Sequence, residues 1–363
     1  MTPFFVSAIS IAVVLLYGCV GEIITEKAGH LNLGIPGIMC MGTAGGCLGV
    51  SLYMGSLASP EDASWFLLVL ISLLFSTIFA AALGAVYALL TVTLRCNQNI
   101  TGLAITIFGS GATNFIMSFV DRTHFDPAGK LISSVLQVIV NRENPVDPAG
   151  ELIPSSIPVY VYLEELAQKV FKHEFFENLH LAELIGDLCE IVLGHGIFVY
   201  LAIATAIVCA IVLSKTRAGL HLRAVGENPA TADAAGINVT LYKYVAILLG
   251  SAIAGLGGFY YIMDYIKGSW ENASTIEAFG WLAIALVIFV LWKPTIGIFG
   301  AVLFGACYIV AFVIPNINPT QREIIKMLPY VVTIVVLILI SVRKKREHQP
   351  PASLGLPYFR EER

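Results

Sequence analysis

The sequence predicts an all-α fold, a polytopic bundle of transmembrane helices. Three observations carry that expectation. Of 363 residues, 57% are hydrophobic and only 13% are charged, with a mean hydropathy of +0.81, whereas a soluble domain carries roughly 45–50% apolar and about 25% charged residues. The apolar residues fall in runs close to the roughly 20 residues that carry a helix across a bilayer core. Lys and Arg collect in alternate short segments between those runs, the pattern the positive-inside rule gives a multispanning chain. Length alone would suggest two or three soluble domains, but a membrane bundle of this size needs no separate soluble core.

The runs define nine spans, at 4–24, 34–53, 65–94, 100–120, 193–213, 244–263, 276–292, 296–314 and 329–342. The third is long enough to be strongly tilted, or broken near Gly84, which would make ten. No basic leader or cleavage site precedes the first run, so it is expected to remain as a helix. The basic segments lie around Lys27, Arg95, residues 215–243, Lys293 and the run Arg343-Lys344-Lys345-Arg346. Nine spans put all of these on one face, and an even count would scatter them. That face is read as cytoplasmic, which places the amino terminus outside, the carboxyl terminus inside and the segments 55–64 and 264–275 outside. The chain divides accordingly into spans one to four over 1–120, an insert at 121–192, spans five to nine over 193–342 with a cytoplasmic loop at 214–243, and a cytoplasmic tail at 343–363.

The insert departs from the rest in composition. Residues 121–190 hold about half of the 25 acidic residues, several prolines and two stretches with helical spacing of apolar positions. One is Val159, Tyr162, Leu163, Leu166 and Val170; the other is Leu181, Leu184, Ile185, Leu188 and Ile191. The topology makes it an extracytoplasmic helical insert, either a cap of interfacial helices or a docking platform for an outside partner.

Several function classes are excluded on composition. The net charge is −4, and no segment is basic enough to bind nucleic acid. The seven cysteines are scattered without a CxxC pair, so neither a disulfide framework nor a metal site is expected. Charges are nearly absent within the spans, and no Asp/Glu/His chain crosses them as a proton relay would. Glu22 and Glu26 are placed at a span end, where a carboxylate reaches water at little cost. His195 is read as an interfacial polar residue at the end of the fifth span. No clustered nucleophile or acid–base constellation appears, so no catalytic residue and no cofactor is assigned to this chain.

Glycine crowds two spans, at Gly34, Gly37, Gly42, Gly45, Gly46 and Gly49 in the second and at Gly250, Gly255, Gly257 and Gly258 in the sixth. Small residues let membrane helices approach closely, since packing replaces the hydrophobic drive between them. The other reading is a helix break lining a path, best placed at Pro36 between Gly34 and Gly37. The fourth span carries Thr106, Ser110, Thr113 and Asn114 at i, i+4, i+7 and i+8, on one face. They either border a hydrophilic path for a neutral solute or make interhelical hydrogen bonds.

The cytoplasmic loop contains a short helix with both ends marked. Asn228 suits the N-cap, Pro229 the first helical position and Gly236 the left-handed position that follows the C-cap. Ala234 and Ala235 are small. A helix of two turns is marginal alone in water, so Glu227, Asn228, Pro229, Asp233, Ala234, Ala235 and Gly236 form either an ordinary capped loop or a helix that docks in a partner's groove.

At this point the residues resemble a known family. The run 223–244 is similar to the coupling segment of ABC importer permeases of the branched-chain amino acid, ribose and nucleoside family. Gly21-Glu22 followed by Glu26-Lys-Ala-Gly-His-Leu-Asn-Leu-Gly-Ile-Pro-Gly-Ile-Met39 resembles that family's early signature. Asn97-Gln98-Asn-Ile-Thr-Gly-Leu-Ala-Ile-Thr106 resembles its next segment, and Gly280-Trp281-Leu-Ala-Ile-Ala285 with Trp292 and Pro294 its late-span pattern. The tail from Pro351 to Arg363 is similar to the end of the nucleoside and simple-sugar subgroup. The five stretches occur in the family's order, and the insert is larger than its pattern.

The resemblance implies a permease subunit that translocates a nucleoside or simple sugar. It implies a second related permease as heterodimer partner, a cytoplasmic ABC ATPase that binds ATP and Mg, and an extracytoplasmic substrate-binding lipoprotein, all at the cytoplasmic membrane among its lipids. The chain itself carries no GxxxxGK[ST] phosphate loop. The rival reading is a secondary transporter of a small neutral solute, which should show mid-membrane carboxylates and inverted repeats; a membrane-embedded enzyme is the other. Neither pattern is evident. The topology is testable by placing a single cysteine at Gly150 on a background free of accessible thiols. It should react with an impermeant maleimide in intact spheroplasts, and reaction only after permeabilisation would reverse the assignment.

Overall fold

The computed structural model describes residues 2–134, 137–139, 156–158, 161, 181–315, 318–343 and 349–359. In chain order these form α1 (Thr2–Lys27), α2 (Ile35–Gly55), α3 (Trp65–Ala88, extended by a π-turn at Leu89–Thr93), α4 (Gln98–Phe119) and α5 (Phe125–Ile132). The strands β1 (Gln137–Ile139) and β2 (Ser156–Pro158) follow, then α6 (Leu181–Leu193), α7 (Ile197–Lys215), α8 (Arg217–Glu227) and α9 (Pro229–Ala234). The chain continues with α10 (Val239–Tyr260, extended by a π-turn at Tyr261–Tyr265), α11 (Ser274–Phe289), α12 (Pro294–Val313), α13 (Pro319–Lys326) and α14 (Leu328–Arg343).

Among the described residues, seven helices are long and apolar enough to cross a bilayer: α1, α2, α3, α4, α7, α10 and α12, of 19 to 29 residues with their π-turns. The sequence's seventh and ninth spans correspond to α11 and α14, each of 16 residues, or about 24 Å of helix at 1.5 Å per residue. The third span is not broken at Gly84. The helix runs through it, and the missing side chain admits Ser251 of α10 instead.

Burial sorts the helices into a centre and a rim. α1, α2 and α10 are mostly buried, with α10 packed on both α1 and α2 and α11 against α1 and α2. The rim helices α3, α4, α7 and α12 turn apolar side chains outward. Phe66, Leu70, Leu74 and Ile78, spaced four apart on α3, are all exposed, a stripe that in water would be a liability and in lipid is solvated.

The glycine rows make the central packing. Gly42 of α2 lies against the backbone of Gly255 in α10, and Gly21 of α1 against the carbonyl of Gly250. Pro36 and Gly37 begin α2 with their backbone against Gly280 of α11 and Thr106 of α4. The break anticipated near Pro36 is thus the loop 28–34 before α2, with Pro36 in the helix's first turn, where its missing N–H leaves no unmet intrahelical bond.

The insert is not wholly helical. β1 and β2 pair antiparallel, with Val138 opposite Ile157; β-branched residues suit a strand, and Pro158 is tolerated at its end. The stretch Leu181–Ile191 does form a helix, α6. The positions Val159, Tyr162, Leu163, Leu166 and Val170 lie outside the described residues. α5 packs under the π-turn of α10, with Gly129 against Lys267 and Gly268 against Phe125. Asp264, expected in an outside loop, belongs instead to that π-turn and is 9% exposed, because the helix continues one turn past the apolar run.

The Gly42–Gly255 contact gives a direct test. Gly42→Leu should cost at least about 1–3 kcal/mol through forced separation of α2 and α10, read as lost monodisperse protein in detergent and a lower Tm. Gly111→Leu, where a Cβ meets nothing within 4 Å, should match the unaltered protein.

Candidate coupling surface and its polar hub

The basic segments at Lys27, Arg95, residues 223–243 and Lys293, with four of the motif stretches, meet at one end of the bundle around the loop 28–34. This loop turns from α1 into α2 with Gly29 at φ +81°, a conformation that suits glycine. Its backbone groups are enclosed, so each needs a protein partner. Glu22 Oε1 accepts from the N–H of Asn32 at 2.8 Å, and Asn32 Oδ1 accepts from Gly34 N–H at 3.0 Å. The N–H of Leu31 donates to Gln98 Oε1 at 2.8 Å, and the Leu31 carbonyl accepts from Tyr87 Oη at 2.7 Å. The Leu33 carbonyl accepts from Thr106 Oγ1 at 2.8 Å.

Glu22 and Glu26 therefore contradict the expectation of two water-facing carboxylates. They are 0% and 2% exposed, one helical turn apart on the inward face of α1. Glu26 Oε2 accepts from the indole Nε1 of Trp292, which follows α11 at φ +56°, with Leu291 before it at φ +57°. Two successive non-glycine residues in the left-handed region store strain, and the buried indole–carboxylate bond holds the turn there.

The candidate coupling segment stands on this hub. In the last turn of α8, Gly226 lies so close to the Lys27 carbonyl that a Cβ would overlap it and press against the Gly29 N–H. Asn228 Oδ1 accepts from the N–H of Thr231 at 3.0 Å, Pro229 opens α9, and Gly236 follows the helix at φ +83°. Ala232 packs with Val225 and Val239 into a small core of its own. Glu227, Ala230, Thr231, Ala234 and Ala235 stay exposed, so α9 offers a face of mainly small side chains from a rigid base.

The tail clamps this arrangement. Ser353 donates from its N–H to the Gly226 carbonyl at 3.1 Å and again from Oγ. Tyr358 Oη donates to Asp233 Oδ2 at 3.0 Å, and the Arg95 guanidinium lies 4.9 Å from the Phe359 ring centre. Between tail, loop and α9–α10 turn is a cleft of 390 Å³, lined by His30, Thr91, Arg95, Asp233, Asn238 and Lys243 among others. Burial, aided by Lys243, pushes the His30 imidazole down to about 3, so it is neutral at physiological pH. Since the unfolded chain binds this proton near pH 6.5 and the folded chain does not, stability falls as pH drops from about 6.5 towards 3.

The polar stripe of α4 divides. Thr106 and Asn114 make bonds to other elements, Thr106 to Leu33 and Asn114 Oδ1 to the Ala273 N–H at 3.0 Å; this is the interhelical-bond alternative. Ser110 is half-buried, and Thr113 is buried with its Oγ1 unpartnered. His195, read as interfacial, lies between α6 and α7, is 5% exposed and is in hydrogen-bond contact with the Ile191 carbonyl at 3.0 Å. Among the described residues no group of three His, Cys, Asp or Glu is placed to hold a metal ion.

Sequence reasoning left Glu22, Glu26, His30, Gln98, Trp292 and Tyr358 out of the site. The available signal was the density of polar residues in motif stretches that border apolar spans; their pairing across the bundle had no local trace.

Residues 4–337 match the family described as branched-chain amino acid transport system / permease component. Among curated relatives, the chain is 29% identical to the nucleoside ABC transporter permease protein NupC of Lactococcus lactis, over 90% of this chain and 88% of that one. It is 27% identical to the guanosine ABC transporter permease protein NupQ of Bacillus subtilis, over 96% and 94%. It is 29% identical to a candidate glucose ABC transporter permease protein, TsgC13, of Haloferax volcanii, over 82% and 74%. No solved structure matches.

The hub predicts an asymmetry between two substitutions of one residue. Glu22→Gln keeps an oxygen acceptor for Asn32 and should shift stability by under about 1 kcal/mol, whereas Glu22→Leu strands a buried amide and should cost about 1–3 kcal/mol. Thermal unfolding of the purified subunit in detergent reads the difference, and equal losses would mean that the bond does not hold the loop.

Proposed function

This chain belongs to the family of branched-chain amino acid transport system permease components, and we propose that it forms the path of an ATP-driven importer whose cargo is a nucleoside. The permease assignment makes the chain a transporter subunit and not itself an enzyme. The cargo reading is supported by similarity to permeases named for nucleosides and guanosine, and a simple sugar is the second reading, favoured by the similarity to TsgC13. Uptake of radiolabelled guanosine, uridine and glucose by cells with and without this subunit separates the two.

The mechanism we propose begins at the basic end, taken as cytoplasmic. A separate ABC ATPase binds ATP and Mg there and moves α9 as a rigid body. The observation that carries this is the exposed small-residue face of α9 on a base pinned to the loop 28–34 and to the tail. A flexible loop would absorb the partner's motion, whereas a helix capped at both ends and backed by Gly226 passes it to α1, α8 and α10. Glu227, Asn228, Pro229, Asp233, Ala234, Ala235 and Gly236 are the proposed coupling residues. A second, related permease completes the membrane part as a heterodimer, and a lipoprotein delivers cargo from outside. Thr113 and Ser110 are the members of the α4 stripe proposed to border the path; Thr106 and Asn114 act through the bonds that hold α4.

Ala235→Trp should abolish uptake and ATPase co-purification while the subunit still inserts, because a large side chain blocks a face that a partner approaches closely. Gly236→Val has open space around it but must hold φ +83°, so its defect should arise from backbone strain. Asn228→Ala should be milder, as loss of an N-cap costs about 1 kcal/mol. Full uptake and normal ATPase retention in Ala235→Trp would remove α9 from the coupling role.

A further inference from the structure

At the end of α11 remote from Trp292, helices α11 to α14 enclose a cleft of 330 Å³. Such a volume lies in the range of about 300–1,000 Å³ typical of small-molecule sites. Its lining mixes two chemistries. Phe279 and Tyr308 supply rings, with Tyr330 at the edge, while Ser274, Glu323 and Lys326 supply polar groups.

The rings are part of a ladder. Tyr265 and Tyr261 stack at 5.6 Å, Tyr261 meets Phe279 at 5.1 Å, Phe279 meets Tyr308 at 5.2 Å, and Tyr308 meets Phe312 at 5.4 Å. A belt of interfacial aromatics would set such residues singly against lipid. Here Phe279 is 2% exposed, and two successive ladder rings border a cavity instead.

We infer that this cleft receives a nucleoside, with the base against the half-buried Tyr308 ring, which Phe279 backs, and the ribose hydroxyls towards Glu323 and Ser274. The inference rests on the nucleoside reading above and adds where and how that cargo is recognised. A flat heteroaromatic base gains most from ring faces and edges, a contact that tolerates any base. Vicinal hydroxyls are donors, and the Glu323 carboxylate is an acceptor held at 2.7 Å by Lys326. A phosphorylated cargo fits less well, because Lys326, the cation of the described lining, is already paired with Glu323. The π-turn Tyr261–Tyr265 ends α10 with the first rungs of the ladder, so the site is built onto a central helix of the bundle.

The experiment is uptake of radiolabelled guanosine and uridine by cells expressing the chain with its own partner subunits. Tyr308→Ala should raise the half-saturating concentration for both by roughly 5- to 100-fold, and Tyr308→Phe should leave it within about twofold, because the ring is kept. Glu323→Gln should raise it by roughly 3- to 10-fold, while inhibition by 2′,3′-dideoxyguanosine, which lacks the hydroxyls, should not change. Membrane level and ATPase co-purification are measured alongside; if Tyr308→Ala fails to assemble, Tyr330→Ala and Glu323→Gln decide. Unaltered half-saturation in variants that assemble would overturn the cleft and leave the cargo reading standing. Absence of nucleoside uptake by the unaltered transporter would overturn the cargo reading and the cleft with it.

Discussion

The structure depends on one requirement, that the backbone of a loop enclosed among helices must find hydrogen-bond partners inside the protein. The loop 28–34 joins two of the three central helices, and its exposed alternative, a solvated turn, is unavailable once α3, α4 and α8 close over it. The partners come from three helices: Glu22 from α1, Tyr87 from α3, Gln98 and Thr106 from α4. An unpaired buried amide costs about 1–3 kcal/mol, so these residues define one arrangement of the helix ends and penalise others. The Gly226 carbonyl and the tail then fit on the surface so formed.

That rigidity bears on the coupling role proposed for α9. α9 has six residues and no stability of its own, yet it is fixed at its N-cap, at Ala232 and through Asp233 to Tyr358. In the proposed coupling role, force applied to its small-residue face would reach α1 and α10 through Gly226 and Val239 without first straightening a slack segment. The central helices can in turn transmit it because glycine rows bring their backbones into contact, and close-packed interfaces shift between discrete arrangements and do not deform continuously.

The two ends of the bundle also differ in the chemistry they gather. The basic end is a network of buried hydrogen bonds with a polar cleft beside α9. The other end carries the aromatic ladder, with Ser274 and Glu323 beside it and Asp264 buried in the π-turn that supplies its first rungs.

Much of this was legible in the chain itself. Runs of apolar residues specify where helices cross, because a backbone in hydrocarbon must satisfy its own hydrogen bonds. Asn228, Pro229 and Gly236 marked both ends of α9, because capping is a local matter of a few consecutive residues. The glycine rows announced close helix packing for a similarly local reason. What the sequence could not decide was the environment of a side chain within a helix. Glu22 and Glu26 read as solvent-facing because they lie near a span end, and only tertiary packing enclosed them against Asn32 and Trp292. Asp264 moved inward for the same reason, and the aromatic ladder joins Tyr261, Phe279 and Tyr308 from three separate helices. Periodicity and capping act between neighbours along the chain, whereas burial and pairing act between distant residues, as in the Trp292–Glu26 bond across 266 positions, and their geometry exists only once the helices have packed.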